Sequence, residues 1–290
     1  MICNLCPRKC NVDRKTNTGW CKSGDNLKIA KIMLHKWEEP CICAGNGSGA
    51  IFFSGCSLKC VYCQNRDISH EGYGKDYSVE ELATEMLKLK NMGACNINLV
   101  TPTHYSHKIR AALDLVKDKL EIPVVYNTSG YELDTEITAL NGYVDIFLTD
   151  IKYFSPDLSS KYSKAKDYYT EAKKALGVML KLQPECVFDE CDRMKKGVIV
   201  RHLVLPGCRR DSISILEDLS HSFDVTKFKL SLMAQYTPEF CSADYPELKR
   251  KITTFEYQSV VDKAISLGFD GYMQDKDASS VKYTPKFKEE

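Results

Sequence analysis

Three cysteines stand close together in Cys56-Ser57-Leu58-Lys59-Cys60-Val61-Tyr62-Cys63, with the spacing C-x3-C-x2-C. They follow a short apolar run, Ala50–Phe53, so the loop that carries them leaves a strand. Three neighbouring thiolates suit an iron–sulfur cluster. A cubane has four irons, and three cysteines leave one iron without a protein ligand, free to bind and activate a small molecule. The plainer alternative is three ligands of a structural zinc site completed by a distant fourth. A second group, Cys3, Cys6, Cys10 and Cys21, has the spacing C-x2-C-x3-C-x10-C. Four thiolates over so short a span make a complete tetrahedral site for zinc, or a second iron–sulfur cluster, and spacing does not decide between them. Gly19 before Trp20-Cys21 allows a tight approach.

The elements that must position these residues are read from periodicity. Apolar, often β-branched runs at Ala50–Phe53, Ile97–Val100, Val124–Tyr126, Val144–Leu148, Val198–Leu205 and Phe228–Leu232 suit strands buried on both faces of a parallel sheet. Helical segments lie between them. Ser78-Val79-Glu80-Glu81 is a capping box that opens a helix which Gly93 can close, and Lys108–Lys119, Tyr168–Leu182, Ser212–Ser222 and Thr254–Leu267 have helical spacing. The alternation predicts an α/β fold, a partial (β/α)6 TIM-like barrel at 49–275, with a small cysteine-rich appendage at 1–48 and a polar tail at 276–290. In such barrels the chemistry sits where the strands end. The polar residues expected on that rim include Thr101 and Thr103 after the second strand and Asn127 and Thr128 after the third. Asp150 and Lys152 follow the fourth, and Arg201 and His202 lie within the fifth.

The motif and its context resemble the radical S-adenosylmethionine (SAM) superfamily, including an aromatic, Tyr62, before the third cysteine. The resemblance extends over most of Gly49–Gln274. It is strongest to the activating enzymes of glycyl radical enzymes, and within them to a branch with an N-terminal cysteine motif similar to pyruvate formate-lyase activating enzyme. Asn127-Thr128-Ser129-Gly130 resembles that family's Asp-Thr-Asn-Gly stretch, Asp150-Ile151-Lys152 its Asp-Leu-Lys stretch, and Val200–Gly207 its arginine-bearing fifth strand. The resemblance implies a [4Fe–4S] cluster on Cys56, Cys60 and Cys63 whose open iron chelates SAM. It also implies one-electron cleavage of SAM to a 5′-deoxyadenosyl radical that abstracts hydrogen from substrate. Tyr62, Thr101, Thr103, Asn127, Thr128, Asp150, Lys152, Arg201 and His202 are then expected around SAM. One departure stands out: the family places Gly-Gly-Glu after the second strand for the SAM amino group, and this chain has Val100-Thr101-Pro102-Thr103-His104. The Thr101 and Thr103 hydroxyls can accept those hydrogen bonds. His104 fits either a catalytic acid or base or a structural rim histidine.

The function expected on this basis is radical SAM chemistry on a glycine of a protein or peptide, such as a glycyl radical enzyme. A flavodoxin- or ferredoxin-type protein would supply the electron. Radical modification of a small molecule or another side chain is the second reading. A metal-stabilised scaffold or electron carrier without SAM chemistry is the third. Composition adds exclusions. Forty basic and 39 acidic residues leave a net charge of +1, which gives no reason to expect nucleic acid as a partner. No apolar run reaches membrane-spanning length and no signal peptide opens the chain, so a cytoplasmic location is expected. Fourteen cysteines in such a chain point to metal or redox chemistry and a reducing cell before disulfides. Cys41, Cys43, Cys95, Cys186, Cys191, Cys208 and Cys241 carry no assignment. Residues 35–39, His35-Lys36-Trp37-Glu38-Glu39, are expected to pack the appendage onto the barrel.

Overall fold

A computed structural model describes residues 2–42, 45–274, 285 and 287. Cys43 and nearly all of the 276–290 tail lie outside the described residues. The strands are β1 (Leu27–His35), β2 (Ser48–Phe53), β3 (Lys75–Tyr77), β4 (Ile97–Val100), β5 (Val124–Thr128), β6 (Ile146–Asp150), β7 (Val187–Phe188), β8 (Met194–Leu203), β9 (Lys229–Met233) and β10 (Gly271–Met273). They form one sheet in the order β10-β9-β8-β6-β5-β4-β2-β1-β3, with β7 paired to β8 off this path. The pairs from β2 to β10 along that order are parallel. All six expected strands are present, and β10 adds a seventh parallel one. The sheet curls without closing, with edges at β3 and β10.

Strand alternation sorts the side chains. Ile51, Phe53, Leu99, Tyr126, Phe147, Val198 and Val200 turn to the helical layer and form the main core. The opposite face carries polar side chains as well as apolar ones: Asn98 from β4, Asn127 from β5, Arg201 from β8 and Ser231 from β9. The helices begin as their local chemistry requires. Ser78 and Thr253 each close a capping box, on helices Val79–Asn91 and Thr254–Ser266, a contribution of about 1 kcal/mol apiece. Tyr168–Leu182 is as expected. The Lys108–Lys119 segment is interrupted, with Ser106–Asp114 ending before a short turn at Lys117–Leu120.

The N-terminal segment is built into the same sheet. The nine-residue β1 pairs antiparallel with β2 across the boundary expected at residue 48, from Ile29↔Phe53 to His35↔Ser48. Because β1 runs against β2, it delivers residues 36–42 to the end of the barrel where the parallel strands begin. There the Met194 N–H donates to Cys41 O (2.9 Å) and Asn96 Nδ2 to Ile42 O (2.9 Å). Cys41 and Ile42 pack on Val125, Ile146, Leu148 and Ile199, so this segment forms a floor under the barrel interior.

Candidate active site

The cysteine loop is held from several sides. Gly55 has φ +88°, and a Cβ there would meet Ser23 Oγ at 2.3 Å and Cys21 O at 2.6 Å, so only glycine fits. Its N–H donates to Ile68 O (2.8 Å). The Val61 N–H donates to Tyr162 O (2.9 Å), at the end of helix Pro156–Ser163, and the Ser242 N–H to Val61 O (3.0 Å). Arg8 Nε donates to Ser57 O (2.8 Å). Each half-buried thiol has a polar neighbour. The Leu58 N–H donates to Cys56 Sγ (3.4 Å), Ser163 Oγ to Cys60 Sγ (2.9 Å), and Ser69 Oγ lies 3.2 Å from Cys63 Sγ. A chain of hydroxyls runs on from Ser163 through Tyr153 (2.7 Å) to Tyr62 (2.6 Å).

Burial pushes the Cys56 thiol up to about 12 and also raises Cys60. These side chains become thiolates when a metal supplies the positive charge they lack. Among the described residues, no three His, Cys, Asp or Glu side chains close on a single metal ion. A cubane does not ask for that, because its cysteines bind separate irons. Three thiols with one shared cavity and hydrogen-bond donors at the sulfurs fit such a cluster.

That cavity, of about 830 Å³, is lined by Cys56, Cys60 and Cys63 together with Tyr62, Thr101, Asn127, Thr128, Asp150, Lys152 and Arg201. All seven parallel strands and the cysteine loop thus face one space. Asp150 and Lys152 form an ion pair (2.6 Å) with under a fifth of either side chain exposed. Burial would lower the Lys152 ammonium, but the Asp150 carboxylate beside it outweighs this and raises it, as would a thiolate at Cys60. Tyr168 ties the strand ends together, its hydroxyl contacting Ser129 O (2.8 Å) and Asp150 O (2.9 Å) and accepting from the Lys152 N–H (3.0 Å).

Two expected residues do not reach the cavity. His202 is buried, with Nδ1 2.6 Å from Ile151 O and Nε2 2.8 Å from Ser212 Oγ. Thr103 is buried and donates to Glu132 Oε1 (2.5 Å), which also accepts from Thr128. His104, 1% exposed, sets Nε2 2.7 Å from Ser54 O and does not line the cavity; burial pushes its imidazole down to about 3. Thr101 does line the cavity, in the left-handed region at φ +59°, a rare conformation for a β-branched residue.

The floor supplies residues that sequence reasoning did not place at the site. Glu38 and Glu39 line the cavity and form ion pairs with Arg201, at 2.5 Å from Nη2 to Glu39. Arg201 Nη1 also lies 3.4 Å from Asn127 Oδ1, and Asn98 Nδ2 donates to Glu38 (2.9 Å). Burial would raise the Glu39 carboxyl, but the guanidinium holds it below the usual range. The signal that could have found them is the arginine itself, since a cation inside a strand needs a counter-ion.

Residues 50–196, half of the chain, match the Radical SAM superfamily. The chain belongs to that superfamily, and a [4Fe–4S] cluster and SAM are the family's cofactors. It is 31% identical over 280 residues to the uncharacterized protein MJ0674 of Methanocaldococcus jannaschii, covering 92% of this chain and 75% of that protein. It is 27% identical over 154 residues to the pyruvate formate-lyase-activating enzyme of Clostridium pasteurianum, covering 50% of this chain and 64% of that enzyme. The match to the Escherichia coli pyruvate formate-lyase 1-activating enzyme is also 27%, over 43% of this chain and 54% of that one. Two solved structures share the fold. A radical SAM methyltransferase from Sphaerobacter thermophilus has TM-score 0.52 at 13% identity, over 78% of this chain and 66% of that one. Streptococcus suis SuiB bound to its precursor peptide SuiA has TM-score 0.52 at 11% identity, over 76% and 46%. Among the described residues no helix is long and apolar enough to cross a membrane.

Proposed function

We propose that this radical SAM enzyme abstracts hydrogen from a glycine of a protein or peptide. The observation that carries the reading is the similarity to two pyruvate formate-lyase activating enzymes over about half of this chain. When bound, cluster and SAM supply a 5′-deoxyadenosyl radical. The chain's own residues bind and orient. Cys56, Cys60 and Cys63 hold the cluster; Lys152, kept charged by Asp150, is suited to the SAM carboxylate, and Tyr62 to the adenine. The Thr101 and Asn127 side chains offer acceptors and donors for the amino and ribose groups. Thr103 and His202 act one step back, Thr103 through Glu132 and His202 by joining Ile151 to Ser212.

An unclosed sheet leaves a side entrance for a loop of a partner protein, and a glycine radical is stabilised by its two flanking amides. The test is electron paramagnetic resonance of the reduced enzyme with SAM and a candidate partner. A doublet that loses its main splitting when glycine is deuterated at the α-carbon is expected. Deuterium transfer into deoxyadenosine from a small metabolite, with no protein radical, would replace this reading with small-molecule modification. The polar floor of Glu38, Glu39 and Arg201 is the feature that favours that second reading.

A further inference from the structure

The inner face of the barrel is apolar where it adjoins the cysteine loop. Ala50 and Phe52 of β2, Val100 of β4 and Ile68 of the helical turn Arg66–Ser69 pack together there, apart from the main core. Phe52, Ile68 and Val100 line the catalytic cavity. This slot lies at the reactive end of that cavity. Ile68 O accepts from the Gly55 N–H (2.8 Å), one residue before Cys56. Ser69 Oγ, next in the same turn, lies 3.2 Å from Cys63 Sγ, and Val100 directly precedes Thr101. The His35 ring stands edge-on to Phe52 (6.1 Å, 85°).

An aromatic side chain fills the slot, and it comes from far along the chain. Phe287 joins the cluster of Ala50, Phe52, Ile68 and Val100 and is only 7% exposed. Its ring meets Phe52 edge-on, at 5.4 Å and 70°, an arrangement that aromatic pairs prefer. Pro285, two residues earlier, lines the cavity itself. The last described strand, β10, stands at the opposite end of the parallel array from β2, so no strand neighbour delivers Phe287 to this place.

The rest of the cavity wall is polar and charged: Asp150 with Lys152 on one side, Glu38 and Glu39 with Arg201 on the floor. Those groups suit the polar parts of a ligand, whereas Phe52, Ile68 and Val100 offer only apolar surface. Ligand pockets combine such apolar walls with a few placed polar groups. An aromatic side chain seated here brings its own backbone to the cavity, as Pro285 does, and a backbone is what carries a glycine α-carbon.

We propose that this slot is the subsite for an aromatic side chain beside the reacting glycine of a polypeptide substrate, and that Phe287 of the same chain occupies it until substrate displaces it. The proposal rests on the peptide reading of the function, and the test keeps the two apart. A fluorescein-labelled peptide of residues 281–290 is titrated into full-length protein and followed by anisotropy. Tethered Phe287 competes at high effective concentration, so F287A should bind the peptide roughly tenfold more tightly than wild type, with F287L between them. The peptide carrying Phe287→Ala should bind neither. An acetylated glycine peptide with a neighbouring phenylalanine should displace the label from F287A, and its alanine counterpart should not. Equal affinity of wild type and F287A would overturn the occupancy by Phe287, as would equal affinity of wild type and F287L should F287A lose its fold. Displacement by both glycine peptides, or by neither, would overturn the aromatic subsite. Absence of the glycyl doublet, with the tenfold difference kept, would instead be a failure of the glycine reading alone.

Discussion

Thr101 is the residue where function is written into strain. A β-branched side chain at φ +59° costs about 1–3 kcal/mol, and it is held there by its N–H to Asn127 O (2.9 Å) at the cavity wall. The resemblance to activating enzymes implies Gly-Gly-Glu at this turn, and here a hydroxyl-bearing side chain stands in a left-handed conformation that favours glycine. Thr101→Gly should therefore stabilise the fold by about 1 kcal/mol in urea unfolding while weakening SAM binding severalfold by equilibrium titration. A loss of stability would mean that the strain is not released. At this scale the sequence was informative wherever a motif is local. Cys56, Cys60 and Cys63, with the aromatic Tyr62, are contiguous, and strand ends placed Asn127, Asp150 and Lys152. Thr103 and His202 lie off the cavity wall, because position at a strand end does not say which way a side chain turns. Both face the packed side, toward Glu132 and Ser212.

At the scale of elements, the floor segment 36–42 couples the N-terminal strand to the catalytic cavity. Glu38 and Glu39 share Arg201, all three largely buried, and removing the shared cation leaves two uncompensated carboxylates. Arg201→Met should destabilise the protein by about 3 kcal/mol in urea unfolding, and E38Q/E39Q/R201M should recover much of the loss. No recovery would mean that packing, not charge, dominates there. Neither acid was legible as a site residue, since each meets Arg201 more than 160 residues away. Other elements escaped for local reasons. Strand β1 does not stand out from the cysteine-rich segment in sequence because lysines at 28 and 31 interrupt its apolar run. Helix Pro156–Ser163 is too short for periodicity to register, although Ser155 before Pro156 is a cap-and-proline start. Strand β10 is only three residues long.

For the molecule as a whole, one buried acid ties stability to pH. Burial pushes Glu132 up to about 7; Oε1 accepts from Thr103 and Thr128, and Oε2 has no partner. A carboxyl raised in the folded state binds its proton more tightly there than in the unfolded chain. Stability is therefore retained at low pH and lost as pH rises from the unfolded value through about 7. Glu132→Gln, which cannot ionise, should gain about 2–3 kcal/mol on wild type between pH 5 and pH 8 in paired urea titrations. A constant difference would place the carboxyl's pKa near that of an exposed glutamate. Radical SAM chemistry in this chain requires the cluster at Cys56, Cys60 and Cys63. Its most direct test is 5′-deoxyadenosine formation from SAM by anaerobically reconstituted, dithionite-reduced protein, which needs no knowledge of the substrate. Wild type should form it and C56A/C60A/C63A should not; equal formation by the triple variant would contradict the account.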